Sequence, residues 1–151
     1  MAYSDKYGVR FSDDRKVLFH CPSSFNGDYT IPKDVRKISE RAFVDCSGLT
    51  SVKIPDSVME IGKGAFGFCT GLTSVTIGKS VTNIGEGAFY KCSGLKSVTI
   101  EAETPPTLET APFPNGCSIY VPCNALSVYI KMWDDYPAVL CGIAHLLPLP
   151  M

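Results

Sequence analysis

The sequence predicts a repeat solenoid made of stacked short parallel strands, and two observations carry that expectation. The pattern Ile-x-x-x-Val-x-x-Ile-x-x-x-Ala-Phe-x-x-Cys-x-Gly-Leu-x-Ser-Val occurs three times, at Ile31, Ile54 and Ile77, each copy 23 residues after the last. A fixed period of this size marks units that cannot bury an apolar face alone and need neighbours to cover it. The positions shared by all copies are also mostly core types: Ile31/Ile54/Ile77, Val35/Val58/Val81, Ile38/Ile61/Ile84, Ala42/Ala65/Ala88, Phe43/Phe66/Phe89, Cys46/Cys69/Cys92, Leu49/Leu72/Leu95 and Val52/Val75/Val98. A Gly and a Ser complete the set.

Each unit divides into four pieces. Leu49-Thr-Ser-Val52-Lys-Ile54, with its equivalents Leu72 to Ile77 and Leu95 to Ile100, alternates at the Val-x-Ile end, which is the period of a strand. Pro32, Pro55 or Gly78 then marks a turn. An extended segment carrying Val58 and Ile61 follows. In Gly62-x-Gly64-Ala65-Phe66-x-x-Cys69 the Ala, Phe and Cys spacing predicts one helical turn facing inward. Stacked strands would form a parallel sheet on one side of the solenoid, with the other segments as the opposite wall. Three repeats span residues 29–99. From Glu101 to Gly116 the chain carries Pro105, Pro106, Pro112 and Pro114 and keeps fragments of the pattern, so residues 100–122 are expected to be a degenerate fourth repeat.

Length, apolar content and near-neutral charge fit one soluble globular domain. The 14 basic and 15 acidic residues are scattered and balanced, which argues against a nucleic-acid partner. Met1 to Arg10 lacks the apolar stretch of a signal peptide, so the chain is either not exported or without its leader. The longest apolar run, Ala138 to Leu149, is broken by Gly142, His145 and Pro148 and is too short for a transmembrane segment.

Of seven cysteines, Cys46, Cys69 and Cys92 are repeat positions and are expected to stack as a column of buried, reduced thiols. Cys117 and Cys123 fall on one face of a predicted strand but about 20 Å apart, too far to pair there. No C-x-x-C pair is present, and His20 and His145 each adjoin apolar sequence, so no zinc site is expected.

The Leu-x-x-Val-x-Ile-Pro strand, the Ile-Gly-x-x-Ala-Phe segment and the Cys-x-Gly-Leu junction together resemble the BspA-like, or Treponema-type, leucine-rich repeat of surface proteins from gut and oral bacteria and some parasitic protists. The flanks look like the same family. Gly8-Val-Arg-Phe11 with Lys16-x-Leu18 resembles its N-terminal capping hairpin, here residues 1–28. Ile119-Tyr-Val-Pro122 with Tyr129-Ile-Lys131 and Trp133 resembles its closing unit, so residues 123–151 would form a C-terminal cap and apolar tail. The resemblance implies a leucine-rich-repeat solenoid capped at both ends. It also implies a surface or secreted adhesion protein, extracellular or on the cell surface, that binds a protein or glycan and is not an enzyme.

Candidate functional residues lie on the strands. Those alternating with buried Val and Ile form two rows, Asp28, Ser51, Ser74, Ser97 and Thr30, Lys53, Thr76, Thr99, Tyr120. These rows read either as a solvated sheet or as a shallow polar platform for a peptide or glycan. A second candidate surface follows the shared Phe, where Val44, Phe68 and Tyr90 are expected to recur at repeat spacing as an exposed apolar strip. Gly62-x-Gly64 and Gly85-x-Gly87 read as tight turns, since neither has the third glycine or long helix of a phosphate loop. Asp13-Asp14 and Asp134-Asp135 read as solvated turn residues and not as metal ligands. Trp133 reads as cap packing. No serine or cysteine nucleophile comes with a recognisable base and carboxylate, and no cofactor is expected. The tail offers two readings: it closes the last unit, or Leu146 and Leu147 contact another copy in a homodimer. A structural scaffold or self-association module is therefore the alternative to ligand binding.

Overall fold

The computed structural model describes residues 3–110, 112–133 and 139–141. In chain order the strands are β1 (Tyr3–Ser4), β2 (Arg10–Phe11), β3 (Val17–His20), β4 (Asn26–Thr30), β5 (Lys37–Ile38), β6 (Gly48–Ile54), β7 (Glu60–Ile61), β8 (Ser74–Ile77), β9 (Asn83–Ile84), β10 (Ser97–Ile100), β11 (Thr107–Leu108), β12 (Ser118–Val121) and β13 (Val139–Cys141). A 3-10 turn, Cys123–Ala125, and one helix, α1 (Leu126–Met132), lie between the last two strands.

These elements wind into a solenoid with two sheets as walls. The Val-x-Ile strands form the six-stranded sheet β13-β12-β10-β8-β6-β4, parallel throughout, and the second extended segments form the seven-stranded sheet β1-β2-β3-β5-β7-β9-β11. The repeat sets the register. Val52 faces Val75, which faces Val98, and Ile54 faces Ile77, which faces Ile100. On the opposite wall Ile38, Ile61, Ile84 and Leu108 align. Like side chains therefore stack on like. Phe43, Phe66, Phe89 and Phe113 form a file of stacked, nearly parallel rings with centroid spacings of 4.7, 5.1 and 5.6 Å. All four are buried.

The segment expected to be a helical turn is instead a third ladder between coils. The N–H groups of Gly64, Phe66 and Phe68 donate to Glu86, Ala88 and Tyr90 of the next coil, while those of Ala65, Gly67 and Cys69 donate three residues back. A left-handed backbone at Gly64 (φ 59°) and Phe68 (φ 60°) interrupts the right-handed run a helix needs. Half of the amides thus turn outward to the neighbour. At Gly62 and Gly85 a Cβ would sit 2.7 Å from a backbone nitrogen of the preceding coil, Glu40 or Lys63 respectively, so these glycines permit the close approach of coils.

The ends are closed differently. At the N-terminus β1, β2 and β3 pair antiparallel, and β3 then pairs parallel with β5. The Tyr29 hydroxyl donates to Asp5 at 2.7 Å, with Tyr7 and Phe25 packed edge-on around its ring. At the C-terminus α1 sets Tyr129 and Trp133 on the last coil. Tyr129 donates to the Ala102 carbonyl at 2.6 Å and the Trp133 indole to the Pro106 carbonyl at 3.1 Å, so Trp133 is a packing residue. Strand β13 extends the six-stranded sheet beside β12. Leu146, Leu147 and the Asp134-Asp135 pair lie outside the described residues.

Cys46, Cys69 and Cys92 are buried free thiols, as are Cys21 and Cys117. Each repeat thiol donates to a carbonyl of the preceding coil: Cys92 to Phe66 at 2.9 Å, Cys69 to Phe43 at 3.0 Å, Cys46 to Cys21 at 3.5 Å. Hydrogen bonding with Cys92, then burial, raises the Cys69 thiol well above its ordinary range. Cys123 is disulfide-bonded, and since Cys117 is free the two do not pair with each other.

Candidate functional site

The parallel register turns the alternation of each strand into rows across the six-stranded sheet. Asp28, Ser51, Ser74 and Ser97 align, continued by Ser118 of β12; Thr30, Lys53, Thr76, Thr99 and Tyr120 align beside them. Both rows named from the sequence are thus brought together on one face. Asp28, Thr30 and Lys53 are exposed, and the others are half-buried between like neighbours.

A third row was not anticipated. The β4–β6 register shifts between Gly27 and Asp28, so that Thr50 projects beside Ser51 instead of continuing the alternation. Its hydroxyl donates to Asp28 at 2.5 Å, and the Thr73 hydroxyl donates to the Thr50 carbonyl at 3.1 Å. Lys96 continues the row, its N–H bonded to Thr73. The signal was present as polar residues at 50, 73 and 96, one period apart, but an alternating strand would have pointed them inward. Hydrogen bonds from Thr50 and then Ser51 hold the Asp28 carboxyl below the usual carboxylate range. It is a fixed, ionised acceptor at the edge of a hydroxyl field.

Where the strands of this face end, the turns leave a groove of about 530 Å³ lined by Lys33, Lys53, Asp56, Ser57, Lys79 and Glu101. It runs into a second hollow of about 420 Å³ that shares Lys79 and Glu101 and adds Glu103 and Thr104. Asp56 accepts from the Lys79 backbone at 2.9 Å, which ties adjacent coils along the floor. The Ser57 hydroxyl oxygen is buried and has no hydrogen-bond partner.

The apolar strip is not a single row. Val44 shares its register with Gly67 and Tyr90, whereas Phe68 is equivalent to Asp45 and Lys91, all three with positive φ. The expected repeat spacing of Val44, Phe68 and Tyr90 is one residue out at Phe68. Phe68 and Tyr90 nonetheless meet edge to face, with ring centroids 5.6 Å apart, and both are about half exposed. Of the acidic pairs, Asp14 closes a turn by accepting from the Ser12 hydroxyl at 2.6 Å and the Lys16 N–H at 3.0 Å. Among the described residues no three His, Cys, Asp or Glu side chains form a metal-ligand group.

A family model described as BspA type leucine-rich repeat region matches residues 16–121 in six copies. A leucine-rich repeat protein from Bacteroides capillosus ATCC 29799 aligns at 26% identity over 80% of this chain and 92% of its own, with a TM-score of 0.63. A leucine-rich cell surface protein from Faecalibacterium prausnitzii A2-165 aligns at 29% identity over 83% of this chain and 44% of its own, with a TM-score of 0.52. The T. pallidum leucine-rich repeat protein shares the fold at 22% identity, over 80% of this chain and 53% of its own, with a TM-score of 0.55. The chain thus spans about half the length of the last two. No curated protein is significantly similar in sequence. The 23-residue period, the two-walled solenoid and the family match agree, and the chain belongs to the BspA-type leucine-rich repeat proteins.

Proposed function

We propose that the chain is a non-enzymatic recognition module that binds a macromolecular ligand, protein or glycan, across the outward face of the six-stranded sheet. The carrying observation is the in-register polar field of Asp28, Ser51, Ser74, Ser97 and Thr30, Lys53, Thr76, Thr99, Tyr120, bordered by a charged groove. Repeat proteins use such extended surfaces for recognition, and small hydroxyl side chains leave this one shallow. A location on a cell surface or outside the cell is supported by the cell surface relative and by the disulfide at Cys123, which fits an oxidising compartment. Among the described residues no helix is long and apolar enough to cross a membrane. The test is a glycan and host-protein array probed with the wild type and with Ser74→Arg/Thr76→Arg. A ligand lost by the variant at unchanged melting temperature supports the reading; one retained equally by both proteins moves the site off this face.

A second reading, self-association, is favoured by α1, which exposes Val128, Ile130 and Met132 to between 44% and 62%. Sedimentation at rising concentration decides it. A dimer dissociated by Ile130→Ser/Met132→Ser supports the reading, and a monomer at high micromolar concentration removes it.

A further inference from the structure

Charge is handled differently on the two walls. Along the seven-stranded sheet and the turns that follow its strands, charges pair from coil to coil: Lys37 lies 3.8 Å from Glu60 and Lys63 lies 3.4 Å from Glu86, while Asn83 donates a hydrogen bond to Glu109 at 3.0 Å. Along the groove beside the polar face the two ends carry opposite signs. Lys33 and Lys53 stand at the N-terminal end, Glu101 and Glu103 at the C-terminal end, and Asp56 and Lys79 between. Among the described residues none of these six side chains is held in an ion pair. The groove therefore has a basic end and an acidic end, with Asp56 and Lys79 of opposite sign between them, as well as a Ser57 hydroxyl without a partner.

We propose that this groove binds an extended peptide lying along the solenoid axis, with acidic side chains at the Lys33–Lys53 end and basic ones at the Glu101–Glu103 end. The inference rests on the sheet-face reading and names the ligand class for it. Lys33 and Glu101 are three coils apart, which at about 4.8 Å per coil is about 14 Å, a distance an extended peptide spans in about four residues. A peptide carries both charge signs at that spacing. An acidic glycan supplies one sign and would be repelled by Glu101 and Glu103, and a neutral glycan would leave both ends of the groove uncompensated. The central residues of the peptide would cross Thr76 and Thr99, whose hydroxyls can pair with its backbone.

The experiment uses two fluorescein-labelled peptides of equal composition, Glu-Asp-Ser-Gly-Thr-Lys-Lys and the charge-alternating isomer Glu-Lys-Ser-Gly-Thr-Asp-Lys, titrated into the full chain by fluorescence anisotropy. The first is expected to bind at least about tenfold tighter than the isomer, and to weaken strongly between about 50 and 500 mM salt as the charges are screened. Lys33→Glu/Lys53→Glu should abolish the preference. Adding Glu101→Lys/Glu103→Lys should restore it, because the peptide then lies the other way round; restoration also shows that the variants are folded. Equal affinity for the two isomers, or no binding by either, overturns the proposal. If neither peptide binds but a glycan does, lost with Ser74→Arg/Thr76→Arg, the peptide inference falls and the sheet-face reading stands. If the peptide preference survives Ser74→Arg/Thr76→Arg, the groove acts alone and the sheet-face reading falls.

Discussion

Each repeat cysteine is protected by the carbonyl of the coil before it, so its reactivity reports whether that interface is closed. Cys21, Cys46, Cys69, Cys92 and Cys117 are all buried, with at most 3% exposure. A thiol reagent should leave all five unmodified in native protein and label them on denaturation; fast native labelling of Cys69 would show that the coils do not stack in this register. The Cys117 thiol adds a pH dependence. Burial and then the Cys92 sulfur push it up from 9.0 to about 11. Above pH 9 the unfolded chain releases a proton that the folded chain keeps, so its contribution is fully present below about pH 9 and is lost as pH rises towards about 11. Melting temperatures should fall across that window, and Cys117→Ala should flatten the fall. The thiol column could be read from the sequence because the same residue recurs at one period. The offset of Phe68 was legible too, since Gly67 stands one period after Val44; its positive φ was not, because a bulky residue with positive φ follows no local propensity. Nor was the outward turn of Thr50, which depends on a register shift against another strand.

At the scale of the element, inside and outside positions of one coil should differ sharply in energy. Phe66 is fully buried between the rings of Phe43 and Phe89, whereas Thr76 lies half-buried on the opposite face of the six-stranded sheet. Phe66→Ala should cost about 3–5 kcal/mol, by loss of transfer free energy and the cavity left behind. Thr76→Ala should cost within about 1 kcal/mol. Comparable shifts in a urea titration would contradict the assignment of faces. The strands and the inward columns were legible because their period of two survives in every copy. The third ladder was not, since Ala-x-x-x-Cys spacing suits both a helical turn and a run of turns. What decides between them is the bonding of alternate amides to the next coil, a contact between units that one unit's sequence does not encode. The same limit explains the groove. Lys33, Lys79 and Glu101 sit at turn positions that look like ordinary solvated charges until successive coils align them.

For the whole molecule, a stack in which each coil touches only its neighbours should lose structure from an end. At the C-terminal cap Tyr129 and Trp133 cover the last coil and donate to Ala102 and Pro106, Trp133 meets Phe113 with ring centroids 6.1 Å apart, and the β12–β13 pairing and the disulfide at Cys123 add to these. Trp133→Ala removes one hydrogen bond and the ring contact at the end of the phenylalanine file, a change of about 3–5 kcal/mol for a buried Trp. The loss falls on the last coil first, and each coil inward is supported by one more intact interface. In the variant, native-state labelling should therefore reach Cys117 first, Cys92 next, and Cys69 and Cys46 later, while Cys21 under the N-terminal strands stays protected. Thiol labelling followed by peptide mass analysis reads this order directly. Simultaneous labelling of all five would mean that the coils unfold as one cooperative block, and that the cap stabilises the whole array instead of the coil it touches.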